Sequence, residues 1–424
     1  MQFLVPYGKE QLIINLKEEN VADYINPTIS STVHSKGVIE RSLSNPIKSL
    51  TLQELVQQKR KGSVIILVTD VSRPIPYQEL LPPVIQELKK GGISGEELKF
   101  IIATGAHRPN KAAENREVFG SLVDQYFFEN HNCDTNLKVL GNLTGGVELQ
   151  INADVAAAGL LIITSCIMPH NLAGFSGGPK MILPGVAGRK TIEENHSLMK
   201  HIQVGPGKVR NNPISQQMLE ALQLSGVDFS INVILNSQNQ ITQSFAGHPE
   251  AAWRAGCESC RQLYQLPLPE PAEVVIVGGG GYPRDANLYQ AVKALVNGGR
   301  FLREGGTIVL LAKCQEGMGE PLFEEWMLAA KNPAEIVERF EAKGFRLGAH
   351  KAYVLCKILQ RKEVILVSEL AATDQQVPLL KNVRNWESAA KLLIQKHGPD
   401  YRALILPLAG LVFPLSGQEI PSNK

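Results

Sequence analysis

Short apolar runs that stop abruptly at glycine, proline or charged residues recur along the chain. Residues 63–69 (SVIILVT) run into Asp70, 98–103 (LKFIIA) into Thr104-Gly105, 159–164 (GLLIIT) into Ser165, and 273–277 (EVVIV) into Gly278. Each is continuous and rich in β-branched residues, as a strand buried on both faces of a parallel sheet is. Further strands are expected at 307–312, 363–367 and 402–406. Between them the apolar positions return at helical spacing, over 77–90, 287–295, 321–330 and 332–343. Strand and helix in alternation predict an α/β protein with largely parallel sheets.

Length then divides the picture. Single cores seldom grow past about 250–300 residues, so 424 residues suggest two α/β domains. The segment LPLPEP at 266–271 holds three prolines in six residues, which suits a linker. The expected domains are therefore 1–267 and 268–424, the last ~20 residues being able to pack back on the first, with the active site in the cleft between them.

Composition narrows the classes. A net charge of +2 provides no field for gathering nucleic acid. No window approaches the roughly 18 apolar residues of a membrane span, and the first residues carry no signal-peptide apolar region. Six cysteines in so long a chain fit a reducing cytoplasm. Cys257 and Cys260 form a lone C-x-x-C within a helical pattern, with no second pair and no adjacent histidine, which lends little support to a zinc or redox site.

Candidate chemistry collects where strands end, the place at which parallel sheets bind ligands. After the 159–164 strand come His170, the turn GFSGG at 174–178, Lys180 and His196. Lys180 reads either as a lysine that snorkels outward or as a partly buried reactive amine. His196 falls on a short helix expected to start at a T-x-x-E box of Thr191 and Glu194. His107, in TGAHRP, and His170, in MPHN, are each ordinary loop histidines alone, but together they could serve as base and acid. The turn Asp70-Val71-Ser72-Arg73 reads equally as an anion-binding strand end or as a turn satisfied by its own Asp70. GGGGYP at 278–283 lacks the spacing of a dinucleotide or phosphate loop. Gln290 and Lys293 share one helix face, fit either to grip a carboxylate or to face solvent.

Taken together these segments resemble the nickel-pincer lactate racemase family of 2-hydroxy acid racemases and epimerases. The matching pieces are DVSRP at 70–74, ATGAHRP at 103–109, PHN through FSGGPK to NH at 169–196, YQAVK at 289–293 and GAHKAY at 348–353. The resemblance implies an isomerase working by proton-coupled hydride transfer through a 2-oxo acid. Its cofactor would be nickel(II) pyridinium-3,5-bisthiocarboxylic acid mononucleotide, the nickel-pincer nucleotide, attached covalently to Lys180, with His196 completing the nickel coordination. His107 and His170 would be the acid–base pair. Asp70, Val71, Ser72 and Arg73 would contact the cofactor, and Arg73, Tyr289, Gln290, Lys293 and Tyr353 the substrate. Tyr353 stands roughly where the lactate enzymes carry a tryptophan, which implies a 2-hydroxy acid other than lactate, larger or more polar. The implied partners are that small substrate and the cofactor biosynthesis proteins.

Two other classes compete with this reading. One is a zinc-type metallohydrolase with His107, His170 and His196 as ligands and an open water position. The other is a non-catalytic homologue that binds small carboxylates.

Overall fold

The computed structural model describes residues 1–27, 35–58, 62–73, 75–236, 238–266, 270–372 and 377–414. Pro74 of the DVSRP motif and residues 267–269 of the expected linker lie outside them. Contacts divide the chain into two compact units. An inserted unit comprises Thr28–Leu263, and a split unit combines Met1–Pro27 with Tyr264–Lys424.

The inserted unit is built on a six-stranded sheet. Its order is Ile241–Gly247, Phe229–Leu235, Leu160–Cys166, Val64–Thr69, Leu98–Ala103, Phe127–Asn130. All neighbours are parallel except the antiparallel edge strand Ile241–Gly247. Every residue of Val64–Thr69, Leu160–Cys166 and Phe229–Leu235 is buried, which explains their unbroken apolar pattern. The core joins these strands to the apolar face of the helix Tyr77–Lys90, through Leu80, Leu81, Val84 and Leu88. From Val64–Thr69 the chain proceeds to Leu98–Ala103 on one side, and from Leu160–Cys166 to Phe229–Leu235 on the other. The strand order therefore reverses between two central neighbours, and the carboxyl ends of strands at such a reversal are where parallel sheets bind ligands.

The split unit has a six-stranded, wholly parallel sheet. Its order is Lys381–Val383, Glu363–Val367, Leu302–Leu311, Ala272–Gly278, Ala403–Leu406, Val21–Tyr24. Its edge strand Val21–Tyr24 comes from the start of the chain. Val5, Ile14 and Leu16, from the same stretch, are buried in this unit's core beside Ile276, Ile405 and Trp386. Residues 1–27 thus belong with the second half of the chain, unlike the expectation of a first domain spanning 1–267. The physical reason is pairing: Ala403–Leu406 would otherwise present a bare edge, and Val21–Tyr24 covers it. Of the last ~20 residues, 405–414 also stay in the split unit, where Phe413–Pro414 pairs with Gln265–Leu266. Residues 415–424 lie outside the described ones. Among the described residues, no helix is long and apolar enough to cross a membrane.

Candidate active site

Three loops of the inserted unit leave the carboxyl ends of adjacent strands and are tied to one another. After Val64–Thr69, the buried Asp70 turns its Oδ1 back on its own loop, accepting from Ser72 N at 3.1 Å and Ser72 Oγ at 2.5 Å. Its Oδ2 lies 2.7 Å from His107 Nδ1, on the loop after Leu98–Ala103. The turn is thus satisfied by its own Asp70, whose second oxygen also grips an imidazole. Val71 N donates to Asn110 Oδ1 at 3.0 Å, a second tie between the same loops.

The loop after Leu160–Cys166 is fixed as firmly. Gly178 N donates to Ser165 Oγ and Asn232 Oδ1, each at 3.0 Å, while Trp253 Nε1 donates to Ser176 O at 3.0 Å. Gly178 has φ +45, and a Cβ there would fall 2.4 Å from Trp253 Cγ, so glycine is required. The 3-10 turn Gly178–Met181 then presents Lys180. Gly105 N donates to Gly185 O at 2.9 Å, joining the His107 loop to the Lys180 loop. His196 is carried on the helix Arg189–Ser197. That helix starts at Arg189 with Gly188 as its N-cap, not at a Thr191 capping box. Thr191 Oγ1 is instead used across the fold, donating to Glu148 O at 2.7 Å and accepting from Gln150 N at 3.1 Å.

Electrostatics couple the group. Burial alone would raise the Asp70 carboxyl, but His107, by charge and hydrogen bond, outweighs it with help from Arg73 and Ser72 and holds it well below the usual range. Burial lowers the Lys180 amine from 10.5 to about 7, and the Arg73 charge adds to the effect. Burial also brings the His196 imidazole from 6.5 to about 3, with further contributions from Lys180 and His107. The site therefore offers a carboxylate, an amine of which about half is neutral near pH 7 and an imidazole that stays neutral. His170 sits on the two-stranded turn Pro169–His170 with Gly174–Phe175, beyond the same strand end.

The remaining expected residues lie in the split unit. Asn287 caps the helix Leu288–Gly298, on which Lys293 Nζ donates to Gln290 Oε1 at 3.3 Å, so these two side chains do share one face. Tyr289 is buried, its ring edge-on to Phe323 and His350. Lys351 Nζ lies 3.5 Å from the centroid of the Tyr289 ring and donates to Tyr289 O at 2.6 Å. Tyr353 stacks on Phe340 at 4.4 Å between centroids.

Comparison with known proteins decides the family. Residues 7–205 match the family model described as lactate racemase N-terminal domain, and residues 269–410 that described as lactate racemase C-terminal domain. A protein named lactate racemase from Thermoanaerobacterium thermosaccharolyticum is 33% identical over 376 residues, 86% of this chain and 87% of that protein. The chain belongs to the lactate racemase family. A lactate racemase from Lactiplantibacillus plantarum is 32% identical over 417 residues, covering 95% of this chain and 97% of that one. The solved lactate racemase apoprotein from T. thermosaccharolyticum superposes with a TM-score of 0.88 at 30% identity, covering 98% of this chain and 100% of the other. A Thermotoga maritima protein, at 17% identity and TM-score 0.65 over 89% of this chain and 97% of its own, shares the fold.

As a lactate racemase family member the protein is an isomerase of the racemase type. Several residues that build its candidate site escaped the sequence reading. Asn110, Ser165, Asn232 and Trp253 hold the loops without carrying reactive groups of their own. A fifth, Asn212, precedes Pro213 at the head of a helical run, and Asn-Pro there is a readable helix start.

Proposed function

We propose that this protein racemises or epimerises a 2-hydroxy acid through a 2-oxo acid, with the nickel-pincer nucleotide attached to Lys180. The observation that carries this reading is the electrostatic coupling of Lys180, whose amine burial lowers to about 7, with His196, whose imidazole burial lowers to about 3. These residues fit the group. The neutral His196 imidazole would be the chain's ligand to the cofactor's nickel, a donor type that suits this metal. A neutral amine is the nucleophilic form that covalent attachment requires. When bound, the cofactor supplies an acceptor that takes hydride from the substrate carbon and returns it.

The chain's own residues do the rest. His107, oriented by Asp70, takes the hydroxyl proton of one enantiomer, and His170 serves the other, since the two present their hydroxyls in different directions. Arg73, Gln290 and Lys293 supply the groups that orient the carboxylate, and Val71 and Ser72 line the cofactor side of the Asp70 turn. The relatives named lactate racemase make lactate the first substrate to test. Malate and longer or sugar-derived 2-hydroxy acids test the preference expected from Tyr353, and a clear preference for lactate over all of them removes that residue from the substrate set. We place the enzyme in the cytoplasm, loaded by cofactor biosynthesis proteins.

A zinc hydrolase is the weaker reading. Among the described residues no three histidine, cysteine or acidic side chains are grouped to hold a metal.

The test is intact mass after co-expression with the biosynthesis proteins, followed by turnover. The added mass should map to the Lys180 peptide and vanish in Lys180→Ala. His196→Ala should lose metal. His107→Ala and His170→Ala should keep the cofactor and lose about two or more orders of magnitude in turnover. Unchanged attachment in Lys180→Ala sinks the reading.

A further inference from the structure

The two imidazoles of the acid–base pair stand in opposite surroundings. His107 Nδ1 lies 2.7 Å from Asp70 Oδ2. An ionised carboxylate only accepts, so the neutral ring carries its hydrogen on Nδ1 and a lone pair on Nε2. His170 is the reverse. Its Nδ1 lies 3.2 Å from Leu172 N and 3.1 Å from Ala173 N. Backbone N–H groups only donate, so Nδ1 keeps the lone pair and the neutral ring carries its hydrogen on Nε2.

The backbone that carries those N–H groups is itself held. Leu172 O accepts from Asn212 Nδ2 at 2.7 Å, and Ala173 O accepts from Ser215 Oγ at 2.7 Å. The peptide joining Leu172 to Ala173 thus donates to the His170 ring at one end and accepts from Asn212 at the other. Asn212 is fully buried. Its Nδ2 also donates to Lys208 O at 2.9 Å, and its Oδ1 accepts from Ile214 N at 3.0 Å and Ser215 N at 3.4 Å as the cap of the helix Pro213–Leu224. A fully satisfied buried amide of this kind has one conformation and imposes it on what it touches.

We infer that Asn212 and Ser215 are positioning residues that hold His170 as its Nε2–H tautomer, opposite to the Nδ1–H tautomer of His107. The functional meaning rests on the acid–base reading above; the tautomers themselves do not. When both rings are neutral, His107 offers a lone pair and His170 a hydrogen-bond donor. A hydroxyl proton passes directly to His107 Nε2, giving an imidazolium whose Nδ1–H stays with Asp70. His170 accepts a proton at Nε2 only after its own hydrogen has moved to Nδ1, which displaces the Leu172 and Ala173 N–H groups.

The experiment is long-range 1H–15N correlation on the full-length protein labelled with 15N-histidine. H107Q and H170Q assign the two rings. The expected result is Nε2–H for His170 and Nδ1–H for His107. Asn212→Ser keeps a helix-capping hydroxyl and lacks the donor to Leu172 O, and Ser215→Ala is a milder second variant. Both should move His170 toward the Nδ1–H form and leave His107 unchanged. Hydrogen on Nδ1 of His170 in the wild type, or an unaltered His170 in both folded variants, overturns the inference. If the tautomers are as stated but H170Q, loaded with cofactor, turns over at the wild-type rate, the acid–base reading fails and the positioning stands.

Discussion

Lys180 differs from the chain's other lysines in reactivity more than in place. Its amine is held at about 7, so acylation of Lys180 by an amine reagent should reach half its maximal rate near that pH. Lysines with the ordinary value titrate near pH 10.4. Peptide mapping across pH measures both together, and a Lys180 midpoint near 10 would show that the site does not desolvate it. Asp70 is depressed from 3.8, so it contributes stability that is fully present above that value and lost as pH falls below it. The urea midpoints of wild type and Asp70→Asn should therefore differ most at neutral pH and converge on acidification. Asp70→Ala should also cost about tenfold or more in turnover, the scale of one charge-assisted hydrogen bond. Residue type and position at a strand end made His107, Lys180 and His196 legible in the sequence. Asn212, Asn232 and Ser215 were not, because the groups they hold stand 40 to 54 residues away and the helix start at Asn212-Pro213 gives no sign of them.

Among elements, those defined by their own pattern were read best. The strands Leu98–Ala103 and Glu363–Val367 and the helix Tyr77–Lys90 coincide with their apolar runs. The helix Arg189–Ser197 was read late because its T-x-x-E box is locally sound but Thr191 is spent on the distant Glu148 and Gln150 backbone. Tertiary demand overrode a local signal. The turn before Lys180 is the element whose failure should be most visible. Gly178→Ala needs a side chain at φ +45 against the Trp253 ring. It should destabilise the protein by more than about 1 kcal/mol in urea unfolding and reduce the fraction of chains that carry cofactor. Wild-type stability and loading would show that the turn yields freely.

At the scale of the whole molecule, the chain crosses between units twice, and only the second crossing stands out in the sequence, by its three clustered prolines against the single Pro27 at the first. The first, near Pro27, follows a strand that shows no outward sign of its distant partner. Asn20 Nδ2 donates to Tyr401 O at 2.7 Å and Trp386 Nε1 to Asn15 O at 3.0 Å, so residues 1–27 are integral to the split unit. A fragment of residues 264–424 should accordingly be poorly ordered by circular dichroism and protease resistance. Residues 1–27 supplied in trans should restore it, and a fragment that is stable without them would contradict the pairing described. The same connectivity has a cost in time. During synthesis Val21–Tyr24 emerges about 380 residues before Ala403–Leu406, the strand it pairs with. At about 5–20 residues per second that is a wait of roughly 20–75 seconds. The inserted unit can complete its fold within that interval, while Val5, Ile14 and Leu16 still await the strands that cover them.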